Sequence, residues 1–113
     1  MHEMSVAVDI IEIVEGQLKP GQDQNVTKVN LIIGELSGIS VEALEFAFSV
    51  AIQNTNLKNS ELNIESIKPV AYCNDCMSQF SPTYKIFLCP NCDTLNVSLI
   101  KGKEFEVNSI EVD

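Results

Sequence analysis

The stretch CNDCMSQFSPTYKIFLCPNC, residues 73–92, contains every cysteine of this chain. Its thiols form two pairs, Cys73 with Cys76 and Cys89 with Cys92, and two residues lie within each pair. Two intervening residues allow one tight turn to present both thiolates, and a hairpin of about a dozen residues can bring two such turns face to face. Tetrahedral Zn²⁺ bound by four sulfurs at roughly 2.3 Å fits this arrangement. The spacing therefore predicts a structural zinc site.

Other uses of four thiols fit the sequence less well. Disulfide bonds are rare in cytosolic proteins, and a thioredoxin-like redox pair normally has one CxxC motif rather than two facing ones. A catalytic zinc keeps an open coordination position, which four cysteine ligands would fill. A rubredoxin-like iron centre uses similar turns and stays an alternative to zinc.

Residues 70–102 are predicted to form an inserted zinc-binding subdomain. Pro69 marks the exit from the strand before it, and Gly102 marks the entry to the strand after it. Residues 79–80 and 84–87 are predicted to form a hairpin within the insert. About thirty residues cannot be stabilised by burial of a core alone, so metal binding and folding of the insert should be one event.

Two helices are predicted outside the insert. Apolar residues recur at three- and four-residue spacing over residues 4–19, and Pro20 ends this helix because proline cannot continue the backbone hydrogen bonds. Ser40 is the predicted N-cap of a second helix over residues 41–54. This second helix is apolar on most sides, Phe46 included, so we expect it to be well buried.

Three strands are predicted to accompany the helices, which makes the fold class α+β. Residues 27–33 alternate at first and then become solidly apolar, as in a strand that is covered on one face. Residues 61–67 and 104–110 share the pattern acidic, apolar, polar, apolar, polar, Ser, Ile. The change of phase at each serine predicts a bulge or the end of regular pairing there. Gly34 and Gly38, in the loop after the first strand, can adopt positive φ angles.

The charge balance narrows the possible functions. Seven basic and sixteen acidic residues give a net charge of −9 among 113 residues, which argues against nucleic acid and against an anionic membrane surface as partners. No apolar run is long enough to span a bilayer, and the first residues do not resemble a signal peptide, so the expected location is cytoplasmic. No nucleophile–base pairing or phosphate-binding glycine loop is present, so an enzyme is not expected.

His2 is the single histidine and stands next to the first residue. A free α-amine, the His2 amide nitrogen and the His2 imidazole can close adjoining chelate rings around one ion, and the Glu3 amide nitrogen offers a fourth donor. Square-planar nitrogen coordination suits Ni²⁺ or Cu²⁺. Met1 is expected to be retained, because methionine aminopeptidase generally requires a small second residue. The ordinary alternative is a solvated terminal histidine.

Three groups of motifs together resemble the HypA/HybF family of nickel metallochaperones for [NiFe]-hydrogenase maturation. They are residues 1–5 (MHEMS), residues 34–48 (GELSGISVEALEFAF) and the two CxxC pairs, which end in Cys89-Pro90-Asn91-Cys92. The resemblance covers essentially the whole chain in the right order. It implies two helices on a three-stranded sheet, with a zinc domain inserted before the last strand.

The resemblance also implies the metals and the partners. Residues 1–69 and 103–113 would form a nickel-binding domain in which Met1 and His2, with Glu3 beside them, hold transferable Ni²⁺. The four cysteines would hold structural Zn²⁺. The implied partners are a nickel-handling GTPase and the hydrogenase large subunit, with urease and a homodimer left open. Some relatives carry histidines next to the zinc cysteines, and this chain has none there. A zinc-ribbon adaptor without nickel transfer remains the alternative function.

Overall fold

The computed structural model describes residues 3–18, 25–82 and 87–113, which form two helices and two small sheets. The elements in chain order are α1 (Glu3–Gln17), β1 (Val26–Gly34), α2 (Val41–Ala51), β2 (Glu61–Ile67), β3 (Val70–Cys73), β4 (Gln79–Phe80), β5 (Val97–Lys101) and β6 (Phe105–Val112). Sheet A has the strand order β2-β1-β6, and sheet B has the order β4-β3-β5. The predicted α+β class is confirmed, and sheet B lies in the chain before the last strand of sheet A.

The two sheets give the molecule an elongated shape. Its Cα radius of gyration is 17.8 Å, and its principal extents are 58 × 23 × 16 Å. A compact domain of this length would have a radius of gyration of about 13 Å. Sheet B therefore extends away from the layer formed by the helices and sheet A.

The main core lies between the two helices and sheet A. The helix α1 presents an apolar stripe at three- and four-residue spacing, and β1 contributes alternate residues, so both elements bury one face. The buried cluster consists of Val6, Ala7, Ile10, Ile11, Val14, Val26, Val29, Leu31, Ile33, Leu44, Ala47, Phe48, Ile52 and Leu57. The predicted helix end at Pro20 lies outside the described residues, and α1 as described ends at Gln17.

The predictions for the second helix are only partly correct. Ser40 is the N-cap, because its side chain accepts a hydrogen bond from the Ala43 backbone N–H. The helix ends at Ala51, three residues earlier than predicted. The expectation of general burial is wrong, since Phe46 is 71% exposed while Phe48 is 2% exposed. The physical reason is that α2 packs through one face only, and its opposite face meets solvent.

The predicted bulge or end of regular pairing takes a different form in each strand: β6 has a bulge, and β2 ends directly after its serine, at Ile67. In the antiparallel pair of β1 with β6, Asn30 lies opposite Ser109 and Leu31 lies opposite Val107, so Asn108 has no counterpart. The strand β2 instead pairs with β1 in parallel and in continuous register along its whole length. The apolar–polar alternation of β2 breaks only at Ile67, which is the last residue of the strand. The pairing with β1 is therefore not interrupted.

Sheet B departs most from the predictions. The strand β4 pairs with β3, Phe80 lying opposite Ala71, and β3 also pairs with β5. Neither β3 nor β5 was predicted from the sequence. The predicted hairpin partner of β4 falls mainly on residues 83–86, which lie outside the described residues. The two cysteine pairs therefore lie in turns between the strands of a three-stranded sheet, and not at the two ends of a two-stranded hairpin.

Glycines bring the two sheets together at a junction, which we define as Gly34, Pro69, Gly102 and Glu104. The prediction of a positive φ angle is correct for Gly38, at 83°, whereas Gly34 lies within β1 and has no positive φ angle. A Cβ atom on Gly34 would collide with the Gly102 backbone, and one on Gly102 would lie 3.0 Å from the Pro69 Cα atom. Close backbone approach, rather than a turn, explains the glycine at position 34.

Neither described helix is long and apolar enough to cross a membrane.

Candidate metal centre

The first cysteine turn, residues 73–78, begins at the last residue of β3. The backbone N–H of Cys73 donates to the Ser78 carbonyl at 2.8 Å, and the backbone N–H of Met77 donates to the Cys73 carbonyl at 2.9 Å. Met77 follows the second cysteine directly and has a φ angle of 63°. These two hydrogen bonds close the chain around Cys73 and Cys76, so that both sulfurs point to the same side.

The second cysteine turn, residues 89–94, repeats this backbone arrangement with the same offsets. The Cys89 N–H donates to the Thr94 carbonyl at 3.0 Å, and the Asp93 N–H donates to the Cys89 carbonyl at 2.9 Å. Asp93 again follows the second cysteine of the pair and has a φ angle of 59°. Two structurally equivalent turns therefore present the two cysteine pairs, as the CxxC spacing predicted.

The four sulfurs form one cluster. All four Sγ atoms lie within 4.8 Å of one another. The Sγ atoms of Cys73 and Cys92 are 3.5 Å apart, and those of Cys76 and Cys89 are 3.6 Å apart. A tetrahedron with metal–sulfur bonds of roughly 2.3 Å has edges of about 3.8 Å. The cluster therefore fits a four-coordinate thiolate-binding metal such as Zn²⁺, and the protein would fill every coordination position.

Polar groups beside the cluster stabilise negative charge on three of the sulfurs. Backbone N–H groups donate from Cys76 to the Cys73 sulfur at 3.3 Å and from Asn91 to the Cys89 sulfur at 3.4 Å. The Cys76 sulfur has two side-chain partners, the Ser78 hydroxyl at 3.0 Å and the Asn91 amide nitrogen at 3.6 Å. The sequence pattern did not indicate Ser78 or Asn91, because no spacing rule assigns a role to either position.

These contacts make the thiols electrostatically unequal. The Ser78 hydroxyl, followed by the Asn91 amide, lowers the pKa of Cys76 to about 5. The neighbouring Cys73 sulfur, together with burial, raises the pKa of Cys92 to about 12. Burial of Cys89 acts to raise its pKa, but the backbone N–H groups of Cys92 and Asn91 outweigh it, and the pKa is lowered. A thiolate-binding metal must displace the protons that remain.

A second layer of side chains ties the first cysteine turn to the segment after the second one. The Asn74 side-chain amide donates to the Ser98 hydroxyl at 3.1 Å, and the Asn96 amide donates to the Asp75 carboxylate at 2.9 Å. Hydrogen bonds from the Thr94 and Asn96 side chains lower the pKa of Asp75. The two residues between Cys73 and Cys76 therefore link the first cysteine turn to Asn96 and Ser98, beyond the second turn, and nothing in the sequence pattern indicated that role.

Of the three residues predicted for nickel, Glu3 alone is among the described residues. Met1 and His2 lie outside the described residues, and Glu3 is the half-buried first residue of α1. Among the residues that the structure describes, the four cysteines are the one group of three or more potential metal ligands, and Glu3 is not part of it. The structure thus brings the four predicted zinc ligands together and leaves the three predicted nickel ligands as a prediction.

A family model described as "Hydrogenase/urease nickel incorporation, metallochaperone, hypA" matches residues 1–112. The chain belongs to the HypA family. Hydrogenase maturation factor HypA of Chlorobium limicola is 39% identical over 113 residues, which cover 100% of this chain and 97% of that protein. The protein of the same name from Desulfatibacillum aliphaticivorans is also 39% identical, with 99% of this chain and 87% of that protein covered.

Solved HypA structures share the fold. The solution structure of the Ni metallochaperone HypA from Helicobacter pylori has a TM-score of 0.67 and 29% identity, and the match covers 98% of this chain and 97% of that one. A second solution structure, of a HypA protein, has a TM-score of 0.69 and 29% identity over 98% of this chain and 95% of that one.

Membership of the HypA family confirms the resemblance inferred from the motifs. The chain is a member of a family of metallochaperones for hydrogenase nickel incorporation, not of enzymes. Its four-cysteine cluster is compatible with zinc.

Proposed function

We propose that this chain binds Ni²⁺ at its N-terminus, through Met1 and His2 with Glu3 beside them, and delivers it during [NiFe]-hydrogenase maturation. The observation that carries the proposal is the match of the HypA family model from residue 1 onward, which includes the Met1-His2 pair. The chemistry supports it, because an α-amine, an amide nitrogen and an imidazole form a chelate that suits square-planar Ni²⁺. The HypA of Helicobacter pylori is itself named a Ni metallochaperone.

Glu3 has a supporting electrostatic role in this proposal. It is the first residue of α1 and the acidic residue of the first turn. The N-terminal end of a helix carries a partial positive charge, which would repel a cation held just before it. The Glu3 carboxylate offsets that charge, whether or not it also contacts nickel.

The four cysteines hold Zn²⁺ as a structural ion in this proposal. The Sγ atoms are spaced as a tetrahedral four-sulfur site requires, and four protein ligands leave no position for a substrate. The zinc-binding unit comprises residues 70–102, and the nickel-binding unit comprises residues 1–69 and 103–113. The division is supported by the sheets, since sheet B lies within the first range and sheet A within the second.

We propose that the protein works in the cytoplasm with a nickel-handling GTPase and the hydrogenase large subunit. The names of its relatives support a place in hydrogenase maturation. The family description also includes urease, so a urease maturation partner is part of the proposal. Nucleic acid and membrane surfaces are not proposed as partners, because a net charge of −9 disfavours binding to polyanions. A homodimer is compatible with all of these roles.

Metal analysis of the untagged chain tests the nickel site. Calorimetry with Ni²⁺ should show stoichiometric binding, and His2→Ala should abolish it while the zinc content persists. Ser5→Ala, an exposed change in the first turn of α1, is the matched control and should keep nickel binding. Nickel binding by His2→Ala that equals the control would refute the assignment. Zinc without any nickel binding in the parent protein would favour the zinc-ribbon adaptor instead.

A short N-terminal extension gives an independent test. Vector-derived residues placed before Met1 remove the free α-amine from the chelate without changing any side chain, so nickel binding should be lost. Affinity should also fall as the pH is lowered through the range of about 6.5–8, where imidazole and α-amine acquire protons. Unchanged affinity in the extended protein would exclude the α-amine as a ligand.

A further inference from the structure

The four cysteines differ in how well the protein shields them. Cys73 and Cys89 are fully buried, Cys76 is half-buried, and Cys92 is exposed. Of the four ligand residues, Cys92 is therefore the one that an attacking molecule from solvent reaches most readily.

The hydrogen bonds follow the same order. Cys73, Cys76 and Cys89 each accept at least one hydrogen bond from an N–H or O–H group, as described above. Within the described part of the chain, the Cys92 sulfur has only the Cys73 sulfur as a hydrogen-bond partner, at 3.5 Å. The backbone N–H of Thr94 has the smallest influence of all the groups that act on the pKa of Cys92.

A hydrogen bond to a thiolate draws electron density away from the sulfur, so it weakens the sulfur as a nucleophile. A zinc-bound thiolate without such a donor keeps more of its nucleophilic character. Exposure and the weakest hydrogen bonding coincide at Cys92, and both favour attack on an electrophile by its sulfur.

We infer that Cys92 is the reactive ligand of the zinc site, the sulfur that a small soft electrophile modifies first and whose modification releases the metal. This inference rests on the zinc ligation proposed above. The Cys92 Sγ lone pair forms a bond to the electrophilic carbon, for example the CH₂ carbon of iodoacetamide. The C–I bond breaks, and iodide leaves with the electron pair. The product thioether is uncharged and is a poor ligand for zinc.

The position of Cys92 explains why its modification would open the site. It is the last cysteine of the second turn, and the buried Cys89 anchors that turn from its other end. Loss of Cys92 as a ligand removes one corner of the tetrahedron, while the three shielded sulfurs keep their hydrogen-bond donors. Loss of the most exposed ligand would therefore be the first step in zinc release.

The test uses the full zinc-loaded chain, limiting iodoacetamide and peptide mass spectrometry, with a chromogenic chelator to follow released zinc. The zinc content is measured first. Cys92 should be labelled at least about tenfold faster than Cys76, because Cys76 has two side-chain hydrogen-bond partners and one hydrogen bond to a charged group corresponds to about that ratio. Zinc release should follow the labelling of Cys92. Faster labelling of another cysteine, equal labelling of all four, or no labelling while zinc stays bound would overturn the inference.

Two variants separate this inference from the zinc proposal. Ser78→Ala removes a hydrogen-bond donor from Cys76 and none from Cys92. The rate of Cys76 labelling should therefore rise about tenfold, while the rate of Cys92 labelling stays unchanged. Cys92→Ser removes the same ligand as alkylation does, so it should fail to retain stoichiometric zinc, whereas Ser78→Ala should retain it. A parent protein without stoichiometric zinc would overturn both the ligation and the inference, whereas stoichiometric zinc with Cys76 labelled first would overturn only the inference.

Discussion

Gly34 and Gly102 lie backbone to backbone where the two sheets meet, so that a Cβ atom on Gly34 would collide with the Gly102 carbonyl group. Hydrogen bonds hold this contact, since the Leu36 N–H donates to the Gly102 carbonyl at 2.6 Å and the Gly102 N–H donates to the Glu104 carboxylate at 2.8 Å. The obstacle is backbone rather than a flexible side chain. We therefore expect Gly34→Ala to lower the free energy of unfolding by about 1–3 kcal/mol.

Urea unfolding followed by circular dichroism checks this expectation, and Gly16→Ala is the matched control. Gly16 lies inside α1, and a Cβ atom there would meet nothing within 4 Å. Alanine at that position should raise the free energy of unfolding by about 0.5–1 kcal/mol, because glycine is the poorer helix residue. Two changes of the same chemical kind should thus have opposite signs. Equal effects would mean that the Gly34–Gly102 contact does not constrain the junction.

Two phenylalanines of α2 provide a second matched pair. Phe48 is 2% exposed and belongs to the main core, whereas Phe46 is 71% exposed. Phe48→Ala should lower the free energy of unfolding by about 3–5 kcal/mol, because it removes buried apolar surface and leaves a cavity. Phe46→Ala should change it by less than about 0.5 kcal/mol. Thermal unfolding of both variants measures the difference, and a large loss for Phe46→Ala would show that this side chain is buried in solution.

The phenylalanine pair illustrates what the sequence could and could not predict. The periodicity of α1 and the cap at Ser40 are local signals, and both predicted where the observed helices begin to within one residue. The two sides of α2 are almost equally apolar, so the pattern predicted burial on both. Which side packs depends on where sheet A and α1 lie, and that information is not local to the helix. The exposure of Phe46 therefore appeared only in the structure.

The cysteine site was more predictable than the sheet that carries it. CxxC spacing is a local constraint, and it correctly grouped all four thiols. The strands β3 and β5 are short and lie on opposite sides of the cysteine turns in the sequence, so their pairing depends on those turns rather than on their own pattern. The contact of Gly34 with Gly102 is likewise long-range, and glycine alone suggested only a turn.

In those metal-free molecules whose cysteine turns are still folded, the lowered pKa of Cys76 predicts an unusual reactivity profile. A pKa of about 5 means that Cys76 is a thiolate at neutral pH, whereas Cys92, with its pKa raised to about 12, stays protonated. Alkylation of metal-free Cys76 should therefore be nearly constant from pH 9 to pH 7 and should slow only as the pH falls through about 5. Iodoacetamide labelling at a series of pH values, read by mass spectrometry, measures this profile.

Removal of one hydrogen-bond donor tests the cause of that profile. Ser78→Ala should move the midpoint of Cys76 labelling upward, because the Ser78 hydroxyl is the largest influence that lowers the pKa of Cys76. Ser81→Ala is the control, since the Ser81 hydroxyl donates to the Pro69 carbonyl and not to a sulfur. A midpoint near the ordinary cysteine value, in metal-free parent protein whose β3 amides stay protected from hydrogen exchange, would show that Ser78 and Asn91 do not stabilise the thiolate.

Removal of zinc should unfold sheet B and leave sheet A folded. Of residues 70–102, the buried hydrophobic members within the described part are Ala71, Cys73 and Cys89, whereas the large apolar cluster belongs to the helices and sheet A. Two of those three are themselves proposed ligands, so sheet B has almost no core apart from its metal site. Chelation of zinc, or Cys73→Ser, should therefore remove most of the folding free energy of residues 70–102.

Hydrogen exchange resolved by mass spectrometry distinguishes local from global unfolding after chelation. Peptides from β3 and β5 should lose their protection, while peptides from β1 and α1 should keep theirs, because the main core makes no use of the cysteines. Restoring zinc should restore the protection of sheet B in the parent protein and not in Cys73→Ser. Protection of β3 that survives complete removal of zinc would mean that the junction and the Asn74, Asp75 and Asn96 hydrogen bonds suffice to fold sheet B without a metal.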